Sequence, residues 1–286
     1  YTQNVSGKPV IPFRSAQGHN AWKGIQVKDI WKIGRHSVIA GYDYLNASTN
    51  SRRWTNDTTE SAPTQPGYAL ISSAFFAQAL LNMGKVTLQP GIRIDHITFD
   101  VRETPLLPTY KAGKKTTPFT SPSLGITYAL LPSLRVKANI GRAFVTTDAY
   151  SVAGYNEVRD SKGRIAITAG NPDLKNESSL CWDFGLDFNK PRSGFAANVT
   201  FYTTKVKNRM AKIVKVVNEP LENGDVVTSR ATFVNAADAE ITGLETELSY
   251  DLGAKSDYRY SMKVFWNGNS IIKGRELIVG TDASEI

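Results

Sequence analysis

The feature that most constrains this chain is a two-residue rhythm of apolar side chains, interrupted by connections that alternate between short and long. From Leu180 to Phe188, the large apolar residues Leu180, Trp182, Phe184, Leu186 and Phe188 take every second place, with Cys181, Asp183, Gly185 and Asp187 between them. A strand sends successive side chains to opposite faces, so this segment has one greasy aromatic face and one polar face. Asn189 to Ser193 is rich in turn-formers. Alternation then resumes with Phe195, Ala197, Val199 and Phe201 against Asn198, Thr200 and Tyr202. A soluble sandwich would also alternate. Repetition and the spacing of the connections decide between the two.

The same rhythm marks strands at 24–33, 38–46, 68–81, 86–99, 123–130, 134–144, 242–250 and 258–266, with an incomplete one at 271–279, ten or eleven in all. Segment 68–81 is ambiguous, because Phe75, Phe76, Ala79 and Leu80 have helical spacing. Its neighbours favour a strand with two rather apolar faces. Pro90 removes a ladder donor and implies a bulge or an unpaired position. Gly84 is placed for a positive φ. Val214–Val217 and Val226–Val234 flank Glu222-Asn223-Gly224-Asp225, and Asn-Gly signals a type I′ turn. These two runs read as strand extensions beyond the sheet proper, and Asn267–Ser270 reads as a loop.

Short turns follow Ile33, Leu81, Leu130, Phe188 and Asp251, while 47–66, 100–118, 146–179 and 205–235 are long. An antiparallel meander puts all short turns at one end and all long loops at the other. The fold class predicted is therefore all-β: an antiparallel up-and-down meander forming part of a transmembrane β-barrel, with short periplasmic turns and long extracellular loops. A Greek-key sandwich gives no reason for that regularity. Arg93, Asp95, Asp183, Asp187, Glu245, Glu247 and Lys263 would be costly against lipid, but they suit a wet lumen.

Composition narrows the function. The chain has 286 residues, 41% hydrophobic. No run of 18 apolar residues exists, which excludes a transmembrane helix and not a barrel. The net charge of +8 is spread along the chain and interleaved with acids. That disfavours nucleic acid and suits lipopolysaccharide, an acidic ligand or plain solvation. Cys181 is the single cysteine, so no internal disulfide and no cysteine metal site can form. Its small polar neighbours make it inert filler. His19, His36 and His96 are scattered. No metal site, cofactor or catalytic group is predicted. Glu245 and Glu247 share a face as a carboxylate pair, but no other catalytic group is placed beside them. No phosphate loop, nucleophile elbow or zinc motif occurs. No signal peptide is visible, as in a mature protein or an excised piece.

Three segments carry a family resemblance. Asn171-Pro172-Asp173-Leu174-Lys175-Asn176-Glu177 leads into the strand ending Phe184-Gly185-Leu186-Asp187-Phe188. Phe233-Val234-Asn235-Ala236 precedes Ile241-Thr242-Gly243-Leu244-Glu245. Ala74-Phe75-Phe76-Ala77-Gln78 precedes Leu88-Gln89-Pro90-Gly91-Ile92-Arg93-Ile94-Asp95. Together, in their order and spacing along the chain, they resemble TonB-dependent outer-membrane receptors. The resemblance implies a Gram-negative outer-membrane protein that takes up a siderophore, haem, cobalamin or similar scarce nutrient. Its partners would be outer-membrane lipid and lipopolysaccharide, a plug domain and the TonB complex. No plug domain or TonB box is identified here, and the family's barrel has about 22 strands. Residues 1–286 therefore look like one internal barrel segment. A non-gated barrel for adhesion or diffusion, and a soluble all-β binding module, remain open alternatives.

Two sets of site residues follow. Arg93, Asp95, Asp183, Asp187, Glu245 and Glu247 are placed on the lumen wall facing a plug. For Arg93 and Asp95 a solvated ion pair is the simpler reading than a ligand path. Arg52, Arg53, Trp54, Tyr110, Tyr150 and Tyr155 are placed in the long loops as ligand contacts, since loops on rigid scaffolds carry recognition and Arg and aromatics make good contacts.

Overall fold

The computed structural model describes residues 4–5, 8–9, 15–54, 58–107, 112–190, 193–255 and 262–278. Ten long strands carry it: β1 (Ser15–Ile33), β2 (His36–Trp54), β3 (Tyr68–Met83), β4 (Val86–Val101), β5 (Gly113–Leu131), β6 (Leu134–Val145), β7 (Glu177–Lys190), β8 (Phe195–Pro220), β9 (Val226–Asp251) and β10 (Lys263–Ile278). Each pairs antiparallel with its sequence neighbour, and no pairing joins β1 to β10 among the described residues. The ambiguous segment is the strand β3. Paired to β2 along Ser37–Thr49 and to β4, it shows that tertiary pairing overrides local helical spacing.

The short turns are as tight as the rhythm required. Gly34 and Gly84 have φ of +58° and +66°, which a side chain would strain. Pro90 interrupts the β3–β4 ladder between Gly91 and Leu88 without shifting register. Of the two expected outcomes, the unpaired position occurs and the bulge does not.

Several boundaries differ from the sequence reading. β10 runs unbroken through Asn267–Ser270, where a loop was expected. In that strand Asn267 and Asn269 lie opposite Glu247 and Glu245. Poor strand-formers are tolerated there because polar partners stand across the ladder: the Asn269 amide donates to Glu245 at 3.4 Å and its oxygen accepts from the Tyr202 hydroxyl at 3.2 Å. The extensions of β8 and β9 are real, each strand reaching 26 residues. Their tip is not a type I′ turn, since Gly224 (φ +84°) has the positive φ and Asn223 does not. The strands also outrun the expected loops at 47–54 and 113–118.

The long connection 146–176 is folded too. It holds the five-residue helix α1 (Ala149–Ala153) and a hairpin of two short strands, Tyr155–Arg159 and Arg164–Ala169. The second short strand pairs parallel with Val226–Ala231 of β9. Ile165, Ile167 and Val227 bury one another there, with Tyr155 and Val217 packed against them.

The distribution of side chains inverts that of a soluble sheet. Ile25 (64% exposed), Val27, Phe75 (63%), Ile92, Ile126, Ile140, Trp182, Phe184 and Trp266 stand exposed on one face. Asp95, on the other, is 2% exposed. Apolar rows that find no core within the sheet fit a wall whose outer solvent is hydrocarbon.

Candidate functional site

Register puts all six lumen candidates on one face. Glu247 lies opposite Asn198, which lies opposite Asp187, which lies opposite Arg135. Glu245, Gly185 and Lys137 are joined in the same way through Thr200. Asp187 accepts from Arg135 at 2.8 Å and from Lys137 at 2.7 Å. Asp183 accepts from the Asn139 amide at 2.7 Å. Asp187 and Asp183 are thus bridged across the strands on this face.

Arg93 makes the tightest of them. Its Nε donates to both Asp95 oxygens, at 3.0 and 3.2 Å. Its Nη1 reaches Asp43 on β2, a strand further away. Asp43, Ala74 and Asp95 form one row of opposed residues, and Ala74 is fully buried beneath the bridge. A larger residue at 74 would stand in the path of the guanidinium. Asp43 was not among the candidates. Its place as the one charge in the apolar and aromatic run 38–45 was the available signal.

Above this ion cluster the inner face becomes apolar. Leu70, Ile97, Phe99 and Val101 form one side of a cavity of about 620 Å³, and α1 with the segment Gly170–Asn176 forms the other. Lys114, Lys115 and Lys175 are its charged lining residues. Sequence reasoning missed this site because its two sides come from segments some 50 residues apart. The loop closes over it through Gly170, whose amide donates to the Gly154 carbonyl at 2.7 Å. A Cβ on Gly170 would lie 2.6 Å from the Ala153 nitrogen.

Two of the sequence motifs meet here as a clamp. The Asn171 amide donates to the Phe233 carbonyl at 2.9 Å. Asn235 accepts from the Lys175 backbone at 2.8 Å and donates to the Lys175 and Asn208 carbonyls at 2.9 and 2.7 Å. Glu177 caps the Met210 amide at 2.7 Å. The register of β8 against β9 shifts between Val206 and Arg209, and Asn208 there has φ of +57°. The motifs therefore fasten the folded loop to an irregularity in the β8–β9 ladder.

The six loop candidates separate. Arg52, Arg53 and Trp54 end β2 rather than lying in a loop. Polar residues on both faces hid that part of the strand. Arg52 is bidentate to Glu60, with both contacts at 2.8 Å, and stacks over Trp54 at 5.0 Å. These hydrogen bonds hold Glu60 below the usual carboxylate range. Arg53 lines a cleft of about 340 Å³ with Arg52, Thr64 and Asn156. Tyr150 is in α1, edge-on to Phe233 with ring centres 5.8 Å apart. Tyr155 donates to Glu157, and burial together with that carboxylate pushes its pKa up to about 12. Tyr110 lies outside the described residues. The structure thus brings Arg52, Arg53 and Trp54 together, sets Tyr150 against Phe233 of β9 and packs Tyr155 against the hairpin of the folded loop.

An open antiparallel meander with an inverted polar face, long strands and a loop folded over one face is the architecture of part of a β-barrel wall. The profile of the family described as TonB dependent receptor-like, beta-barrel matches residues 3–282. The chain belongs to that family. It is 22% identical over 244 residues to Heme/hemopexin utilization protein C of Haemophilus influenzae (strain 86-028NP), covering 80% of this chain and 32% of that protein. It is 28% identical over 156 residues to the Ferrienterobactin receptor of Escherichia coli (strain K12), covering 52% of this chain and 19% of the receptor. The chain thus spans about a third or less of the curated relatives it matches. Among solved structures, a mutant ferric enterobactin receptor (PfeA) of Pseudomonas aeruginosa in complex with enterobactin superposes with a TM-score of 0.63 at 19% identity, covering 90% of this chain and 36% of that one.

Proposed function

We propose that this chain forms part of the wall of a TonB-dependent outer-membrane receptor that imports a scarce nutrient held in a siderophore, haem, cobalamin or similar complex. The observation that carries the reading is the inverted sheet, with greasy rows exposed on one face and ion pairs gathered on the other, in a chain of this family. In the complete protein a plug domain would meet the ion-paired wall around Arg93, Asp187 and Glu245, and TonB would supply the energy that opens it.

The cavity under the 146–176 loop is the first place for ligand. Its lysines and apolar wall suit an anionic complex with an apolar body. Among the described residues its lining carries no histidine, tyrosine, methionine or cysteine. Arg53 and its cleft, beside Arg52 and Trp54, are a second contact at the rim.

The test is a binding screen of the full-length receptor against ferric catecholate and hydroxamate siderophores, haem and cobalamin, with growth of a deletion strain on each. Saturable binding of one of them, together with loss of growth restored by the gene, supports the reading. Passive diffusion without saturable binding or TonB dependence would replace it with a non-gated barrel.

A further inference from the structure

The outer wall carries a trough, and a carboxylate lies at its end. Asp29 on β1 is opposed by Ala40 on β2, and Ala40 by Ala77 on β3. Tyr42 and Phe75, whose rings lie 4.8 Å apart, form the bank towards the long loops. Trp31 forms the bank towards the short turns. Two alanines between bulky rows leave a groove of about 440 Å³ on the greasy face, with Lys28 also in its lining but in no ion pair with Asp29.

Asp29 is out of place there. The β1–β2 register runs without a shift, so parity puts Asp29 on the same face as Trp31. It is exposed, its carboxylate accepts from the neighbouring Ile30 amide at 2.8 Å, and no ion pair reaches it among the described residues. A bare carboxylate deep in hydrocarbon is costly. Trp31, the kind of residue that marks the membrane–water interface, lies one strand step nearer the turn at Gly34–Arg35 and lessens that cost, with Ile33 continuing the row beyond it. Asp29 thus lies towards the headgroup edge of the leaflet on the short-turn side. The cation that a lipid itself offers at that depth is an ammonium headgroup.

We infer that the trough is a site for an aminophospholipid: one acyl chain lies over Ala40 and Ala77, and the ammonium group pairs with the Asp29 carboxylate. The inference rests on the membrane-wall reading above. The two fail separately, since Asp29→Asn changes headgroup preference and leaves the wall itself intact.

The experiment is native mass spectrometry of the full-length receptor in mild detergent, given equal amounts of phosphatidylethanolamine and phosphatidylglycerol with identical acyl chains. The wild type retains phosphatidylethanolamine about fivefold over phosphatidylglycerol, the scale of one exposed ion pair. Asp29→Asn brings that ratio close to one, and Ala77→Phe, which fills the trough, removes both lipids from the site. Equal retention of both lipids by the wild type overturns the inference. So does an undiminished preference in Asp29→Asn, the result expected if a cation on a neighbouring strand already neutralises the carboxylate. Asp29→Asn is close to isosteric, so the test stands even if Ala77→Phe fails to fold.

Discussion

At the scale of single residues, Arg93 holds three strands in register. It bridges Asp43 and Asp95 across the fully buried Ala74, and Asp95 itself is 2% exposed. Arg93→Ala leaves two enclosed carboxylates facing one another. We expect a loss of roughly 1–3 kcal/mol, between the worth of an exposed pair and that of a buried one. It would be read as a lower temperature for loss of the compact barrel form in detergent gels. Ala74→Leu should do comparable damage by blocking the bridge, whereas Asp183→Asn, on the wet wall, should be nearly silent. Tyr155 gives a pH test. Its pKa is raised in the folded loop to about 12, against about 10 for a free tyrosine. The contribution is therefore complete below pH 10 and is lost as pH rises through the folded value. A spin label in the 155–169 hairpin should gain mobility over that window, and Tyr155→Phe should remove that gain. Arg93 and Asp95 were legible in the sequence as a same-face pair. Asp43 was not, because its partner lies two strands away.

At the scale of elements, alternation shows where a strand crosses the membrane. It does not show where the strand ends. Spanning takes about 9–11 residues, yet β2 has 19 and β8 has 26. Beyond the bilayer both faces are wet, the rhythm fades, and segments such as Ala47–Trp54 look like loop. Asn267–Ser270 was misread for a related reason, since its strand propensity is supplied by Glu245, Glu247 and Tyr202 across the ladder. The clamp around Asn235 was visible as a motif, but its mechanical role was not. Asn235→Ala frees three backbone groups of Lys175 and Asn208 at once. It should weaken loop docking by about 1–3 kcal/mol, seen as faster proteolysis within 146–176 with the wall intact. Gly170→Val should separate α1 from the loop and open the cavity, lowering ligand affinity in the full-length receptor without changing the barrel's thermal transition.

At the scale of the whole molecule, the account depends on which face meets hydrocarbon. The repeated short and long connections were enough to predict the meander. The cavity, the folded loop and the trough were not legible, because each is assembled from segments distant in sequence. Phe184→Lys, a charge placed on the greasy face near mid-strand, should cost about 2–4 kcal/mol. The most direct measurement is a site-directed spin-label scan of residues 180–188 of the full-length receptor in lipid bilayers, on a Cys181→Ser background for the other positions. Collision rates are compared for oxygen, which concentrates in hydrocarbon, and for a water-soluble nickel chelate. Labels at 180, 182, 184, 186 and 188 should favour oxygen, and labels at 181, 183, 185 and 187 should favour the chelate. The opposite phase, or no two-residue period at all, would contradict a lipid-facing wall.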